Sequence, residues 1–140
     1  MVTADELAET LGMQRHPEGG RYVETWRGPD VGGRATATAI YFLLVAGERS
    51  HWHRVDADEV WLFHAGDALA IEVAATAGAE VTRHVLGNSL AHGERPQIVV
   101  PSGTWQSATP LGDWTLVSCV VAPGFEFEGF ELGPDGWLTE

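Results

Sequence analysis

Short β-type runs succeed one another from Arg21 to Leu132 with a turn signal between neighbours and no helical pattern among them. The runs are Arg21–Trp26, Ala35–Val45, His51–Arg54, Glu59–His64, Ala68–Ala74, Val81–Leu86, Gln97–Val100, Thr104–Ala108, Trp114–Val121 and Phe125–Leu132. Gly47-Glu48, Gly66-Asp67, Gly87-Asn88, Gly112-Asp113 and Pro123-Gly124 punctuate them. Strands at that spacing without intervening helices specify an all-β sandwich or barrel. One helix is expected before them: Thr3 and Glu6 form a capping-box pair, Leu7 and Leu11 share a face, and Gly12 supplies the stop. The next segment, His16-Pro-Glu-Gly-Gly20, reads as a turn. At 140 residues the chain fits one domain, with helix and turn over 1–20 and a β-barrel over 21–140.

Charge removes several classes of partner. Eight basic residues against twenty acidic ones give a net charge of −12. Nucleic-acid binding draws its affinity from clustered Lys and Arg, so this balance argues against it, and equally against an anionic membrane surface. The lone Cys119 offers no intramolecular disulfide and suits a reducing compartment. The opening MVTADELAETLG is acidic and has no long apolar run, so it does not read as a signal or transit segment. A cytoplasmic, acidic domain acting on a small-molecule substrate is the resulting expectation.

The segment from Gly47 to Gly66 carries the chemistry. His51 and His53 are two apart, so on a regular strand both imidazoles leave one face. Glu59 heads the following strand, where an antiparallel neighbour can set its carboxylate opposite the rings. Two imidazoles and one carboxylate on a rigid sheet suit one divalent ion, Fe(II), Mn(II), Ni(II) or Zn(II), with positions left open for substrate. Gln106 is a fourth candidate ligand through its amide oxygen. The plainer reading makes His51 a surface histidine and has His53 bond Glu59.

His51-x-His53, Glu59 and Gly66 resemble the first cupin motif, and Pro101-x-Gly103-x-x-Gln106 resembles the second, with Gln where many cupins carry a third His. More closely, His16-Pro-Glu-Gly-Gly20, Ala39-Ile-Tyr-Phe-Leu-Leu44, Asp58-Glu59-Val-Trp61, Pro96-Gln97-Ile-Val-Val-Pro101 and Ala122-Pro-Gly-Phe-Glu-Phe127 resemble the cupin-5 family. The resemblance implies a double-stranded β-helix, or jelly roll, usually paired as a homodimer, with a pocket similar to that of sugar-nucleotide epimerases. Leu62 stands where many members of that family have His, whereas His51 fills a ligand position that they often lack.

Strand alternation places Glu59, Trp61 and Phe63 on one face and His64 on the other, so Trp61 and Phe63 are candidate substrate-binding residues beside a catalytic or metal-binding Glu59. Tyr41 is a candidate acid or base, against the commoner role of a packed ring with a bonded hydroxyl. Arg21, beside the glycine turn with Glu18, is a candidate clamp for a substrate carboxylate or phosphate, against a surface ion pair. Phe125, Phe127 and Phe130 either exchange across a dimer or complete the chain's own core. Two readings follow. In one, a metal on His51, His53, Glu59 and Gln106 polarises a carbonyl-containing small molecule or sugar derivative for isomerisation, epimerisation or lyase chemistry, or Fe(II) supports a dioxygenase. In the other, the protein is metal-free and binds a small, sugar-nucleotide-like molecule, or turns one over with His53 and Glu59 as acid–base pair.

Overall fold

The computed structural model describes residues 2–134, and its first element is α1 (Ala4–Leu11). The capping box forms: Thr3 Oγ1 accepts from the Glu6 amide at 3.1 Å, and Glu6 Oε1 accepts from the Thr3 amide at 3.0 Å. Gly12 ends the helix in the left-handed conformation, as a C-terminal glycine does. The strands that follow are β1 (Gln14–Arg15), β2 (Arg21–Arg27), β3 (Asp30–Val31), β4 (Arg34–Ala35), β5 (Thr38–Val45), β6 (Ser50–Val55), β7 (Asp58–Gly66), β8 (Leu69–Ala74), β9 (Thr82–Leu86), β10 (Gln97–Val100), β11 (Trp105–Pro110), β12 (Trp114–Ala122) and β13 (Phe130–Leu132). The expected unit over 1–140 extends past the described residues at both ends.

Two antiparallel sheets form a jelly roll: a six-stranded sheet in the order β1-β2-β5-β12-β7-β10, and a five-stranded sheet in the order β13-β6-β11-β8-β9. Alternation along each strand fills the space between them. Phe42 and Leu44 of β5, Trp61 of β7, and Val117 and Cys119 of β12 meet Leu69 and Ile71 of β8, Leu86 of β9 and Ala108 of β11. Burying each large aliphatic or aromatic side chain there stabilises the fold by about 1.5–3 kcal/mol. A second cluster, Trp52, Ala74 and Trp105, packs with Val81, and the Arg54 guanidinium lies 4.8 Å from the Trp105 ring centroid. A third, Val55, Ala57 and Val121 with Phe125 and Phe130, is separate from the main core.

Strand β6 corrects a sequence expectation. Its pairing with β11 slips between Gln106↔His53 and Ala108↔Ser50, so two residues, His51 and Trp52, oppose the single Ser107. This is a β-bulge, and it breaks the period of two. Ser50 and His53 are both buried, whereas His51 is exposed, so the two imidazoles do not share one face. The run expected over Phe125–Leu132 is likewise interrupted, by a 3₁₀ turn at Phe127–Gly129 before β13.

The turn from His16 to Gly20 is pressed against β6. Its Glu18 carbonyl accepts from the His51 amide at 2.6 Å. Gly19 has φ of +108°, and a Cβ there would lie 2.2 Å from the Arg49 carbonyl oxygen. Backbone strain and overpacking therefore act together at this position. Gly19→Ala is expected to lower stability by about 2–3 kcal/mol, read as a fall in the urea midpoint with unchanged slope.

Candidate functional site

A cavity of about 490 Å³ opens between the sheets, lined among others by His16, Glu18, Phe42, Glu59, Cys119 and Phe125. That volume is within the roughly 300–1,000 Å³ of small-molecule sites. The glycine turn puts His16 and Glu18 there, closed by the Gly19 amide donating to the His16 carbonyl at 3.0 Å. Alternation on β7 brings Glu59 in from the six-stranded sheet, and β6 and β11 bring His53 and Gln106 from the other. All four ionisable groups, His16, Glu18, His53 and Glu59, are buried.

Backbone groups set the proton positions. His53 Nδ1 lies 2.8 Å from the His51 carbonyl oxygen. A carbonyl only accepts, so Nδ1 carries the hydrogen and a neutral ring presents a lone pair at Nε2. His16 Nδ1 accepts from the Glu18 amide at 3.1 Å, so its hydrogen is on Nε2. Glu18 Oε1 faces both lone pairs, 3.5 Å from His53 Nε2 and 3.4 Å from His16 Nδ1. Its other oxygen accepts from the Ser50 hydroxyl. An ionised carboxylate would repel both nitrogens, whereas a protonated one can donate to His53 Nε2, the lone pair left without a donor. Burial acts in the same direction: it pushes Glu18 up to about 8, lowers His53, and is the main cause that brings His16 down to about 4.

Glu59 is held differently. Its Oε1 accepts from Gln106 Nε2 at 2.8 Å, and Gln106 Oε1 accepts from Trp61 Nε1 at 2.9 Å. The indole, which can only donate, thus fixes which end of the amide meets the carboxyl. Burial raises Glu59 to about 7, with His53 opposing that rise. A carboxyl titrating there is available as acid and as base near neutrality.

The other expected site residues separate. His51 is exposed on the far side of the bulge. Trp61 is fully buried beneath Gln106, and Phe63 packs against the main core, so both share the inward face with Glu59 without lining the cavity. Tyr41 points out of the barrel between the inward Ile40 and Phe42, 6.0 Å from the His64 ring. Arg21 donates to Asp5 of α1 at 3.1 Å and does not line the cavity. Phe125, Phe127 and Phe130 gather round His16 of their own chain, with centroids 6.0–6.4 Å from its ring.

The expected metal shell does not fit this arrangement. His51 is outside, His16 Nδ1 is committed to the Glu18 amide, and the Gln106 oxygen is committed to Trp61, which leaves His53 Nε2 and Glu59 alone of the expected four ligands. Among the described residues, no group of three or more His, Cys, Asp or Glu is arranged to hold a metal ion. Two residues that the spacing argument passed over, His16 as a site residue and Glu18 as its carboxyl, complete the cluster. Their signal was a histidine and a glutamate two apart in a turn closed by two glycines.

The raised carboxyls give the stability a sign. In the folded state Glu18 and Glu59 keep protons that the unfolded chain releases above about 4.5, so their contribution is full below that pH and lost as pH rises towards 8. His16 acts oppositely only between about 6.5 and 4. Stability is therefore expected to fall from pH 6.5 to 8. Glu18→Gln, whose amide can donate to His53 Nε2 and accept from Ser50, should flatten much of that fall; an unchanged pH dependence of the urea midpoint would contradict the protonated Glu18.

Comparison with known proteins agrees with this fold. Protein SO0799 from Shewanella oneidensis, known from an X-ray structure, is 43% identical and superposes with a TM-score of 0.90, over 95% of this chain and 85% of that one. A hypothetical protein from Leishmania major is 31% identical, with a TM-score of 0.88 over 98% and 90%. Oxalate decarboxylase from Bacillus subtilis shares the fold alone, at 15% identity and a TM-score of 0.64 over 84% of this chain and 29% of that one. No curated protein matches the sequence. Residues 5–133 match the family model Cupin_5, described as Cupin superfamily (DUF985), and the chain belongs to that family.

Proposed function

We propose that the protein is a proton-transfer enzyme of the isomerase or epimerase type, acting on a carbonyl-containing small molecule. One observation carries this reading: a carboxyl titrating at about 7, Glu59, lines the same cavity as a neutral imidazole, His16. A buried glutamate base with a neutral histidine donor is a known way of making and holding an enolate. Glu59 as carboxylate takes the proton from the carbon next to the carbonyl. The C–H electron pair becomes the enolate double bond, and the oxygen takes the negative charge beside His16 Nε2–H. On a substrate with a hydroxyl next to the carbonyl, Glu59 then delivers the proton to the former carbonyl carbon while His16 Nε2 passes a proton between the two oxygens, which moves the carbonyl by one carbon with no electrons gained or lost. Gln106 and Trp61 hold Glu59 in place, and Glu18 with His53 fixes His16. The metal shell of His51, His53, Glu59 and Gln106 would require His51 to turn inward and Gln106 to leave Trp61.

The same reading takes the protein as a homodimer in the cytoplasm. On the outer side of the six-stranded sheet, the register sets Trp26, Ala39, Val120, Val60 and Val99 in one row across five strands. Trp26 is 52% and Val99 55% exposed. A beside row runs Val23, Tyr41, Ser118, Leu62 and Gln97. Neither row carries a charge, in a chain with a net charge of −12, so two copies meet there with the least repulsion. Light scattering should give a dimer mass at micromolar concentration and a monomer for Val120→Asp; a wild-type monomer would remove the dimer.

For the chemistry, small ketones and aldehydes incubated with the protein in D₂O and chelator should gain deuterium at the carbon next to the carbonyl. Glu59→Gln should slow that exchange by about 10²–10⁴-fold. Equal exchange in both proteins, or none in wild type, would sink the proposal.

A further inference from the structure

We infer that the cavity selects an uncharged or positively charged ligand with an aromatic or other apolar body, and rejects phosphorylated and carboxylated ones. The inference rests on the cavity being the small-molecule site proposed above.

The chain contains no lysine, so every side-chain cation other than a protonated histidine is one of eight arginines. Of these only Arg27 lines the cavity. Its guanidinium is already occupied: Nη2 donates to Glu24 Oε1 at 2.8 Å and Nε to Glu24 Oε2 at 3.3 Å, with a further bond to the Phe125 carbonyl at 3.3 Å. Glu126, 3.8 Å from Arg34 Nε, and Glu128 line the same cavity and add negative charge. An anion arriving there meets two more carboxylates, and no unpaired guanidinium. Deeper in, Glu18 and Glu59 would be pushed still further from ionisation by a second negative charge, whereas a cation or neutral group leaves them unaffected or eases it.

The interior nonetheless has features that call for a ligand. The His16 side chain is 95% buried, and its Nε2–H has no hydrogen-bond partner among the described residues. Because His16 lines the cavity, that donor is left for an acceptor on the ligand. Around it stand rings: Tyr22 at 4.6 Å, Phe42 at 5.7 Å, Phe125 at 6.3 Å and Phe127 at 6.4 Å between centroids. Aromatic walls suit a flat or apolar body, and their faces attract rather than repel a cation. A sugar nucleotide would bring a diphosphate, which needs the charged or backbone donors that this mouth commits elsewhere.

Tryptamine, tryptophol and indole-3-acetate share one ring system and differ in charge, and uridine diphosphate adds a phosphorylated probe. Each is titrated into the full-length protein and followed by amide NMR shifts of cavity residues. Tryptamine is expected to bind at least about tenfold more tightly than indole-3-acetate, with tryptophol between them and uridine diphosphate weakest. Glu24→Gln, an exposed substitution that releases Arg27, should cut that ratio to about threefold or less by improving the anion. Indole-3-acetate or uridine diphosphate binding in the cavity as tightly as tryptamine overturns the ligand class and leaves the site standing. A ratio unchanged in Glu24→Gln overturns the assignment of selectivity to the Glu24–Arg27 pair. No cavity shifts with any probe at millimolar concentration overturns the ligand class together with the reading of the cavity as the site.

Discussion

Two backbone groups decide the protonation of everything around them. The His51 carbonyl keeps the hydrogen on His53 Nδ1, and the Glu18 amide keeps the lone pair on His16 Nδ1. Neither group titrates, so neither choice relaxes when the pH changes. Glu18 then meets two lone pairs and the low polarity of the interior. Removing a carboxylate from water costs several kcal/mol unless a well-placed cation answers it, and no arginine bonds to Glu18. The proton stays on the carboxyl as a consequence. The neutral states of His16 and His53 follow from the same lack of compensating charge.

That arrangement depends on the bulge in β6. A regular strand would send Ser50 and His53 to opposite sides, separating the hydroxyl and the imidazole that both face Glu18. The bulge interrupts pairing with β11, but the His51 amide is not left without an acceptor, because the Glu18 carbonyl takes it. Trp52, displaced by the same irregularity, is buried with Trp105 and Ala74. The glycine turn and the bulge are thus one device: each satisfies what the other leaves open, and the cluster forms where they meet.

The physical origin of each sequence signal explains what could be read in advance. The jelly roll was legible because period-two alternation and turn residues are local properties, and the shared inward face of Glu59, Trp61 and Phe63 followed from the same rule. His51 was misplaced because a bulge is a pairing event: it is decided by Ser107 on another strand and by the burial of Trp52, neither of which leaves a mark on the spacing His-x-His. Gln106 meets Glu59, but through its amide nitrogen and not the oxygen expected of a ligand, because which atom it offers depends on the indole of Trp61, a contact across the barrel interior. His16 and Glu18 are in a turn, where no periodicity distinguishes an inward side chain from a solvated one. Only the packing of Gly19 against Arg49 shows that this turn has no room to face outward.

The two buried carboxyls are raised alike by burial but are held by different partners, and the partners assign their roles. Glu18, at about 8, faces lone pairs and is stabilised mainly as an acid. Glu59, at about 7, accepts from an amide held rigidly by an indole and has the His53 ring opposing its rise. Groups whose surroundings separate their titration points divide acid and base duties between them, and such close groups lose their protons as a coupled pair. The first proton to leave is therefore shared towards Glu59, the residue on the cavity wall that is held by a donor. Glu18 keeps its own and continues to fix the imidazoles. Ionising both would set two charges in one enclosed space, behind a mouth that already carries Glu24, Glu126 and Glu128. The surface charge of this acidic chain thus helps keep its interior pair to a single ionisation.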